Sequence, residues 1–330
     1  MTPTTIPLNP AERSTLIGNR RARGVPDDAI HALLRRWLPD RAVRFSRAET
    51  GGSTPVYQVT TEGETLFLRL AEEPGERRDA EVAVHRLLRA RGVAVPGILS
   101  WEPDPPELDR SAVLTTAMPG RPLGQRPDLP AETIQLALKA AGRDLARINR
   151  IPVRGYGWAD TTDPRDDTPI AEHATRTLWT AEYARTTEEI LAAGLLSGGF
   201  ASELERAIDR WLTVPDPGPS SLAHGDFDPT HIFVSASGEY TGIIDFGEIR
   251  GADPLYDLGY VMLHDQQAAQ APILPAILAG YREVTPLPED VLPLIRDQAI
   301  AIGVRMLAIS RRRNAPWADL AAQIERLLDG

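Results

Sequence analysis

The spacing of apolar residues separates a strand-rich first third of the chain from a mainly helical remainder. Period-two alternation of apolar and polar residues predicts three strands, at about 43–45, 56–59 and 66–70. Helical spacing follows between Asp79 and Arg91, and two more short apolar runs lie at 93–99 and 112–117. The pattern therefore predicts a small antiparallel sheet with one helix inserted after its third strand.

The pattern changes near residue 117. Helical spacing then dominates, with helices predicted from Pro130, over about 168–196 and from Phe200. Short apolar runs return between Leu222 and Ile249, and the remainder of the chain is helical in pattern. We predict an α+β protein of two lobes. They are a β-rich lobe at 1–117, preceded by a short amphipathic helix, and a helical lobe at 118–330.

Composition removes several classes of function. The 330 residues contain no cysteine, which excludes disulfides and zinc-thiolate sites. The net charge of −10 argues against a nucleic-acid partner. The same acidic balance mildly favours a cationic small molecule as partner. No run approaches the roughly 20 apolar residues of a membrane span, and the N-terminus has no secretory pattern. We therefore expect a cytoplasmic protein without a membrane partner.

The most informative segment runs from Leu222 to Glu248. A loop carrying Asp226 and His231 precedes an apolar strand that leads into Asp245. Oxygen-rich sites of this kind suit Mg²⁺, which often bridges protein carboxylates and substrate phosphates. A carboxylate without a metal role can accept a hydroxyl proton. Phosphoryl transfer combines these two functions with a cationic clamp on the phosphates.

Three motifs in this region carry a family resemblance: His224-Gly-Asp226 with His231 five residues later, Ile244-Asp-Phe-Gly247, and Asp253-Pro-Leu-Tyr-Asp257. Together they resemble the aminoglycoside phosphotransferase and choline kinase-like family. The resemblance extends from about residue 40 to 300. It implies the protein-kinase-like bilobal fold, with a nucleotide-binding first lobe and a catalytic, substrate-binding second lobe.

By this resemblance Asp226 is the catalytic aspartate, which orients the acceptor hydroxyl and takes its proton. Asp245 matches a Mg²⁺-binding aspartate, and His224 is expected to support the loop rather than touch substrate. His231 departs from the usual asparagine and is similar to the histidine of aminoglycoside 2''-phosphotransferases and macrolide phosphotransferases. It either ligates the metal or forms a hydrogen bond beside it. Asp253 and Asp257 are expected to pin loops and cap helices.

The first lobe supplies the expected nucleotide-binding residues. Glycines between two strands let the backbone approach phosphate closely. Arg69 stands where the family usually has lysine. Phe67 lies two residues earlier on the same face of the strand, and we expect that face to point toward the nucleotide. Glu81 matches the glutamate that pairs with the phosphate-binding cation. The complete predicted set is Gly51, Gly52, Ser53, Phe67, Arg69, Glu81, Thr116 and Met118. By the resemblance, Thr116 and Met118 lie in the linker between the lobes, and their backbone groups bind the edge of the purine.

The resemblance implies a Mg²⁺-dependent phosphotransferase that moves the γ-phosphoryl group of ATP or GTP to a hydroxyl of a small molecule. An aminoglycoside or macrolide antibiotic is the preferred acceptor, with contacts expected from Asp228, Glu248, Trp179 and Tyr183. A metabolic acceptor such as homoserine, choline or a sugar remains the alternative. The replacements at Arg69 and His231 also leave open a catalytically weak nucleotide-binding regulator.

Other chemistries are poorly supported by the sequence. It contains no G-x-x-x-x-G-K-[ST] motif, which excludes a P-loop NTPase. The segment Gly51-Gly-Ser-Thr-Pro55 ends in proline and is not followed by a helix, so it is not a nucleophile elbow. A hydrolytic metal cluster of His224, Asp226, Asp228 and His231 would leave Asp245 and Glu81 without a role.

Overall fold

In the computed structural model, which describes residues 25–48, 54–159, 168–214, 220–265 and 272–329, the chain divides into two units. The first extends to Leu87 and resumes at 96–117. The second contains residues 88–95 and most of the chain from Met118 onward. The first unit is rich in strands and the second is mainly helical, which confirms the predicted α+β class.

The first unit is built around a five-stranded antiparallel sheet of order β1-β2-β3-β5-β4. Its elements are α1 (Asp27–Trp37), β1 (Arg44–Arg47), β2 (Val56–Thr61), β3 (Glu64–Leu70), α2 (Asp79–Ala90), β4 (Ile98–Glu102) and β5 (Ala112–Thr116). A tight turn joins β2 and β3, with Gly63 at a φ of 83° that suits glycine.

Alternation along β3 separates the core of this unit from its polar face. Leu66, Leu68 and Leu70 are fully buried and pack in one apolar cluster with Leu33 and Leu34 of α1. Each such side chain contributes about 1.5–3 kcal/mol on burial. The intervening positions of β3 are only half-buried, so this strand presents its polar and aromatic residues on the opposite face.

The second unit contains two small antiparallel sheets, ordered β7-β10-β13-β8-β9 and β12-β11-β6. The strands are β6 (Arg121–Pro122), β7 (Pro152–Val153), β8 (Tyr156–Ala159), β9 (Ala171–His173), β10 (Ser220–Ala223), β11 (Ile232–Val234), β12 (Tyr240–Ile243) and β13 (Arg250–Ala252). The helices are α3 (Ala131–Asn149), α4 (Arg176–Ala192), α5 (Ala201–Thr213), α6 (Tyr256–His264), α7 (Ile273–Arg282), α8 (Val291–Arg312) and α9 (Ala318–Asp329).

Close helix packing in this unit depends on small residues. A Cβ added at Gly280 of α7 would lie 1.8 Å from the carbonyl oxygen of Lys139 in α3. A Cβ at Gly259 of α6 would lie 2.7 Å from the Gln298 side chain of α8. These glycines let α7 lie close against α3 and α6 lie close against α8. Among the described residues, no helix combines the length and the apolar character that crossing a membrane requires.

Two local predictions are wrong in their bounds, and several short strands were not predicted. The predicted helix at 168–196 begins only at Arg176, where the Thr175 side chain caps it by accepting from the Leu178 amide. The predicted strand at 93–99 begins only at Ile98, since Pro96 interrupts that segment. The two- to four-residue strands β7, β8 and β13 were not predicted, because so few residues give no readable periodicity.

Candidate active site

In the first unit, β3 places Phe67 and Arg69 on the same half-buried face of the sheet. Phe67 lies opposite Thr115 of β5, and Arg69 lies opposite Val113. Neither belongs to the apolar cluster formed by the leucines of β3. The shared face expected from the sequence is therefore present, and it offers a ring beside a guanidinium group.

Glu81 of α2 is buried between two arginine side chains. Its Oε1 lies 3.3 Å from the Arg69 Nε, and its Oε2 accepts from the Arg78 Nη1 at 2.5 Å. Burial alone would raise the pKa of this carboxyl. The charges of Arg69 and Arg78 outweigh burial and lower the pKa to about 2. The glutamate is therefore ionised at neutral pH and holds both guanidinium groups in place.

Of the other predicted nucleotide-binding residues, the structure describes Thr116 and Met118. Gly51, Gly52 and Ser53 lie outside the described residues. Thr116 ends β5, where its amide donates to the Gly97 carbonyl at 2.9 Å and its hydroxyl accepts from the Gly97 amide at 2.9 Å. Met118 begins the second unit, and its side chain leaves no room for a Cβ at Gly242.

Residues 224–231 of the second unit, between β10 and β11, form the candidate catalytic loop. The amides of His224 and Gly225 donate to the two Asp257 carboxylate oxygens, each at 2.9 Å. The buried His224 ring contacts the Ile244 carbonyl at 3.0 Å and accepts from the Asp226 amide at 3.3 Å. These contacts agree with the supporting role expected for His224 and Asp257 and fix the backbone on both sides of Gly225.

Gly225 has a φ of 87°, and no side chain fits at this position. An added Cβ would lie 2.1 Å from the Glu248 carbonyl oxygen and 2.9 Å from the Arg250 Nε. The loop therefore passes against the segment after Asp245, and this close approach brings Asp226 near Glu248. A third of the Asp226 side chain is exposed, while Phe227 beside it is buried.

The orientation of His231 is set by its own loop. Its Nδ1 lies 2.7 Å from the Asp226 backbone oxygen, so this nitrogen carries the proton and donates it. The Nε2 then faces the Asp245 Oδ2 at 3.6 Å. Burial lowers the pKa of His231, but the carboxylates of Asp245, Asp228 and Asp226 outweigh that effect and raise it.

The donor set around His231 fits a divalent cation. A carboxylate oxygen of Asp245 and the Nε2 of His231 face each other, and ligand atoms of Asp226, Asp228 and His231 lie within 4.8 Å of one another. Carboxylates with one imidazole suit Mg²⁺ or Mn²⁺, although imidazole is the softer ligand. Asp245 has a φ of 68°, a left-handed conformation that aspartate tolerates better than most residues.

Two predicted acceptor contacts, Asp228 and Glu248, lie near Asp226. One Asp228 oxygen accepts from both the amide and the hydroxyl of Thr230, each at 2.5 Å, so this carboxylate also shapes the loop. Burial, together with the nearby Asp226 and Asp245 charges, raises the pKa of Glu248 to about 7, despite the opposing charge of Arg250. Glu248 therefore titrates near neutrality.

The prediction that Trp179 and Tyr183 contact the acceptor needs correction. They are 5% and 1% exposed and belong to the apolar core of the second unit. Trp179 stacks on Tyr156 at 5.6 Å between ring centroids and meets Trp211 edge-on at 6.0 Å. Their spacing on α4 reflects helix packing, because these large aromatic rings bury more area in the core than a solvent-facing site would allow.

Three residues that contact the candidate site residues, one in the first unit and two in the second, were not predicted from the sequence. Arg78 lies three residues before Glu81, a helical spacing that could have indicated the pair. The Tyr260 hydroxyl donates to the Asp226 Oδ1, and Tyr260 follows Asp257 by one helical turn. The buried Arg250 lies 4.1 Å from the Trp158 ring and donates to Glu248 at 2.8 Å. The Trp158 contact crosses strands that the sequence did not reveal.

Comparison with known proteins identifies the family of this chain. Residues 44–294 match the model of a family described as the phosphotransferase enzyme family. A curated relative, the uncharacterized protein YcbJ of Bacillus subtilis (strain 168), is 49% identical over 54 residues. That match covers 15% of this chain and 18% of the relative, so it spans less than a fifth of either protein.

Solved structures resemble nearly the whole chain. A thermostable mutant of aminoglycoside phosphotransferase APH(4)-Ia, in ternary complex with AMP-PNP and hygromycin B, has a TM-score of 0.66 at 15% identity. The alignment covers 91% of this chain and 98% of that one. The GDP and kanamycin complex of APH(2'')-IIIa has a TM-score of 0.61 at 17% identity, covering 91% and 97%. At these identities the likeness confirms the predicted protein-kinase-like fold.

Proposed function

Since this chain belongs to the phosphotransferase enzyme family, we propose that it transfers the γ-phosphoryl group of ATP or GTP to a hydroxyl of an aminoglycoside or macrolide antibiotic. The observation that carries this proposal is the arrangement on the catalytic loop. A partly exposed Asp226 carboxylate lies beside a His231 ring whose Nε2 faces Asp245 at 3.6 Å. One carboxylate is thus available for a proton, and a separate pair is available for a cation.

In the proposed reaction Asp226 accepts the proton of the acceptor hydroxyl on its Oδ2. The hydroxyl oxygen forms a bond to the γ-phosphorus, and the bond from that phosphorus to the β,γ-bridging oxygen breaks, releasing the nucleoside diphosphate. Asp245 and His231 would hold Mg²⁺, which would neutralise charge on the phosphate oxygens. His224 and Asp257 keep the loop backbone fixed, so Asp226 does not have to be reoriented in each turnover.

Residues of the first unit, together with Met118 at the start of the second, would bind the nucleotide. Arg69, kept in place by Glu81, offers a planar fork that can bind two phosphate oxygens, and Phe67 offers a ring for the purine. Backbone groups of Thr116 and Met118 would bind the purine edge, and Gly51, Gly52 and Ser53 would approach the phosphates. A nucleotide donor also favours the cytoplasm as the place of action.

The antibiotic acceptor is supported by charge and by structural relatives. Asp228 and Glu248 lie close to Asp226 and can attract the ammonium groups of a polycationic acceptor. Two structurally similar phosphotransferases have been solved in complex with hygromycin B and with kanamycin. A resistance role would follow if such a compound is the acceptor. Metabolic alcohols belong in the same test, because a shared fold does not determine the substrate.

The proposal is tested by release of ADP or GDP in the presence of Mg²⁺. The acceptor panel contains aminoglycosides, macrolides, homoserine, choline and simple sugars. We expect one antibiotic class to stimulate release and Asp226→Asn to lower turnover by at least about 10³-fold. Asp209→Asn, an exposed aspartate on α5, is the matched control and should leave turnover unchanged.

The other outcomes separate the alternatives. Stimulation by a metabolite alone would replace the antibiotic with a metabolic acceptor. Nucleotide binding without turnover across the panel would favour the regulator. Full activity of Asp226→Asn would contradict the assignment of the proton acceptor.

A further inference from the structure

Helix α6 contacts three consecutive residues of the catalytic loop. Asp257 on its first turn accepts from the amides of His224 and Gly225, both at 2.9 Å. One turn later, the Tyr260 hydroxyl donates to the Asp226 Oδ1. Residues three apart on a helix share a face, so a single face of α6 holds the loop backbone and the Asp226 side chain.

The contact of Tyr260 is directed at one oxygen of Asp226. The Oδ1 accepts from Tyr260, whereas the Oδ2 lies 3.9 Å from the His231 Nδ1, whose proton is donated to the backbone oxygen of Asp226. Hydrogen bonding therefore distinguishes the two oxygens. With Oδ1 committed to Tyr260, the side chain cannot rotate without breaking that bond, and Oδ2 is the oxygen available to a proton.

Tyr260 is itself held in place. Its ring packs against the ring of His264, one turn further along α6, at 4.6 Å between centroids. Gly259 allows α6 to lie directly against α8, since a Cβ there would meet the Ala299 backbone nitrogen at 3.0 Å. Burial and the neighbouring Asp226 charge raise the pKa of Tyr260, so its hydroxyl remains a protonated donor. The donor is therefore preorganised rather than mobile.

We propose that Tyr260 is the positioning residue for the catalytic aspartate, fixing the Asp226 carboxylate so that Oδ2 faces the acceptor hydroxyl. This inference rests on the proposed function, since it assigns a task in the same reaction. Tyr260 does not touch the reacting atoms in this assignment. It acts by limiting the orientations of Asp226, and misplacing a proton acceptor by about an ångström is enough to slow catalysis strongly.

Tyr260→Phe tests the proposal because it removes only the hydroxyl. We expect kcat to fall about 10- to 100-fold, which is the scale for losing a hydrogen bond to a charged group, with the KM for nucleotide changed less than about twofold. The matched control is Tyr240→Phe, which removes a 2.8 Å tyrosine bond to Asp144 in the same unit. Its kcat should remain within about twofold of the wild type.

A second readout does not depend on turnover. Crystal structures of the wild type and of Tyr260→Phe would show whether the Asp226 carboxylate rotates when the hydroxyl is removed, and we expect it to rotate or to adopt more than one conformer. An unchanged Asp226 side chain would overturn the proposal, as would an equal loss of kcat in both tyrosine variants. If the wild type shows no turnover with any acceptor, the proposed function fails, and the Asp226 conformer still decides the task of Tyr260.

Discussion

Replacing Glu81 by glutamine should separate the electrostatic contribution of this residue from its shape. The carboxylate is shared by Arg69 and Arg78, and its pKa falls from an ordinary 4.5 to about 2. At about 1.4 kcal/mol per tenfold change in the proton equilibrium, this fall corresponds to about 3 kcal/mol of stability at neutral pH. Glutamine keeps the side-chain volume but removes the charge, so Glu81→Gln should lower the free energy of unfolding at pH 7 by about that amount.

The pH dependence gives the sharper test. A folded-state pKa below the unfolded value means that the unfolded chain binds more protons at acidic pH. The stabilisation is therefore complete above pH 4.5 and is lost as the pH falls toward 2. Urea unfolding of wild type and variant at pH 7, 5, 4 and 3 should show the difference falling to less than half by pH 3.

The control for this experiment is Glu62→Gln, at an exposed glutamate in the turn between β2 and β3. It should change the free energy of unfolding by less than about 0.5 kcal/mol at every pH. A wild-type to Glu81→Gln difference that stays constant from pH 7 to pH 3 would refute the electrostatic reasoning and leave packing as the cause.

Three further predictions concern other residues of the two units. Arg69→Lys should raise the KM for nucleotide about three- to tenfold, because an ammonium lacks the planar fork; a gain in turnover would show instead that arginine limits the natural site. Asp253→Asn should lower the free energy of unfolding by about 3 kcal/mol by weakening a buried bidentate pair with Arg176, which denaturant titration would measure. Trp179→Phe should lower stability by about 1–3 kcal/mol and leave the acceptor KM unchanged, and a tenfold rise in that KM would restore it as an acceptor contact.

Periodicity predicted the elements that bury a regular stripe. The strands β1, β2, β3 and β5 and the helix α2 were recognised from their apolar spacing, whereas β4 was predicted to begin too early, and the motifs around Asp226 and Asp245 indicated phosphoryl-transfer chemistry. Contacts between distant segments could not be predicted. The bond from Tyr260 to Asp226 spans 34 residues, and the ring contact of Arg250 needs β8 and β13 to pair.

The prediction for Trp179 and Tyr183 was wrong for a related reason. Trp179 and Tyr183 lie at helical spacing on α4, and this spacing is the same for a helix that lines a site and for a helix that packs into a core. The aromatic rings that surround Trp179 and Tyr183 show that this face packs into the core. These rings belong to β8, α5 and α6, which are distant in sequence. The local sequence therefore predicted that these residues share one face of a helix, but not whether that face lines a site or packs into the core.

The pairing of two guanidinium groups with the buried Glu81 carboxylate has a consequence for the mobility of Arg69. If Arg69 turns away from Glu81 to follow a phosphate, Arg78 remains at 2.5 Å and the carboxylate is not left as an isolated buried charge. If Glu81 had one arginine partner, contact of that arginine with a phosphate would leave the buried carboxylate unpaired. Because Arg78 keeps its ion pair with Glu81, a movement of Arg69 toward a phosphate would not remove the last countercharge from this buried carboxylate.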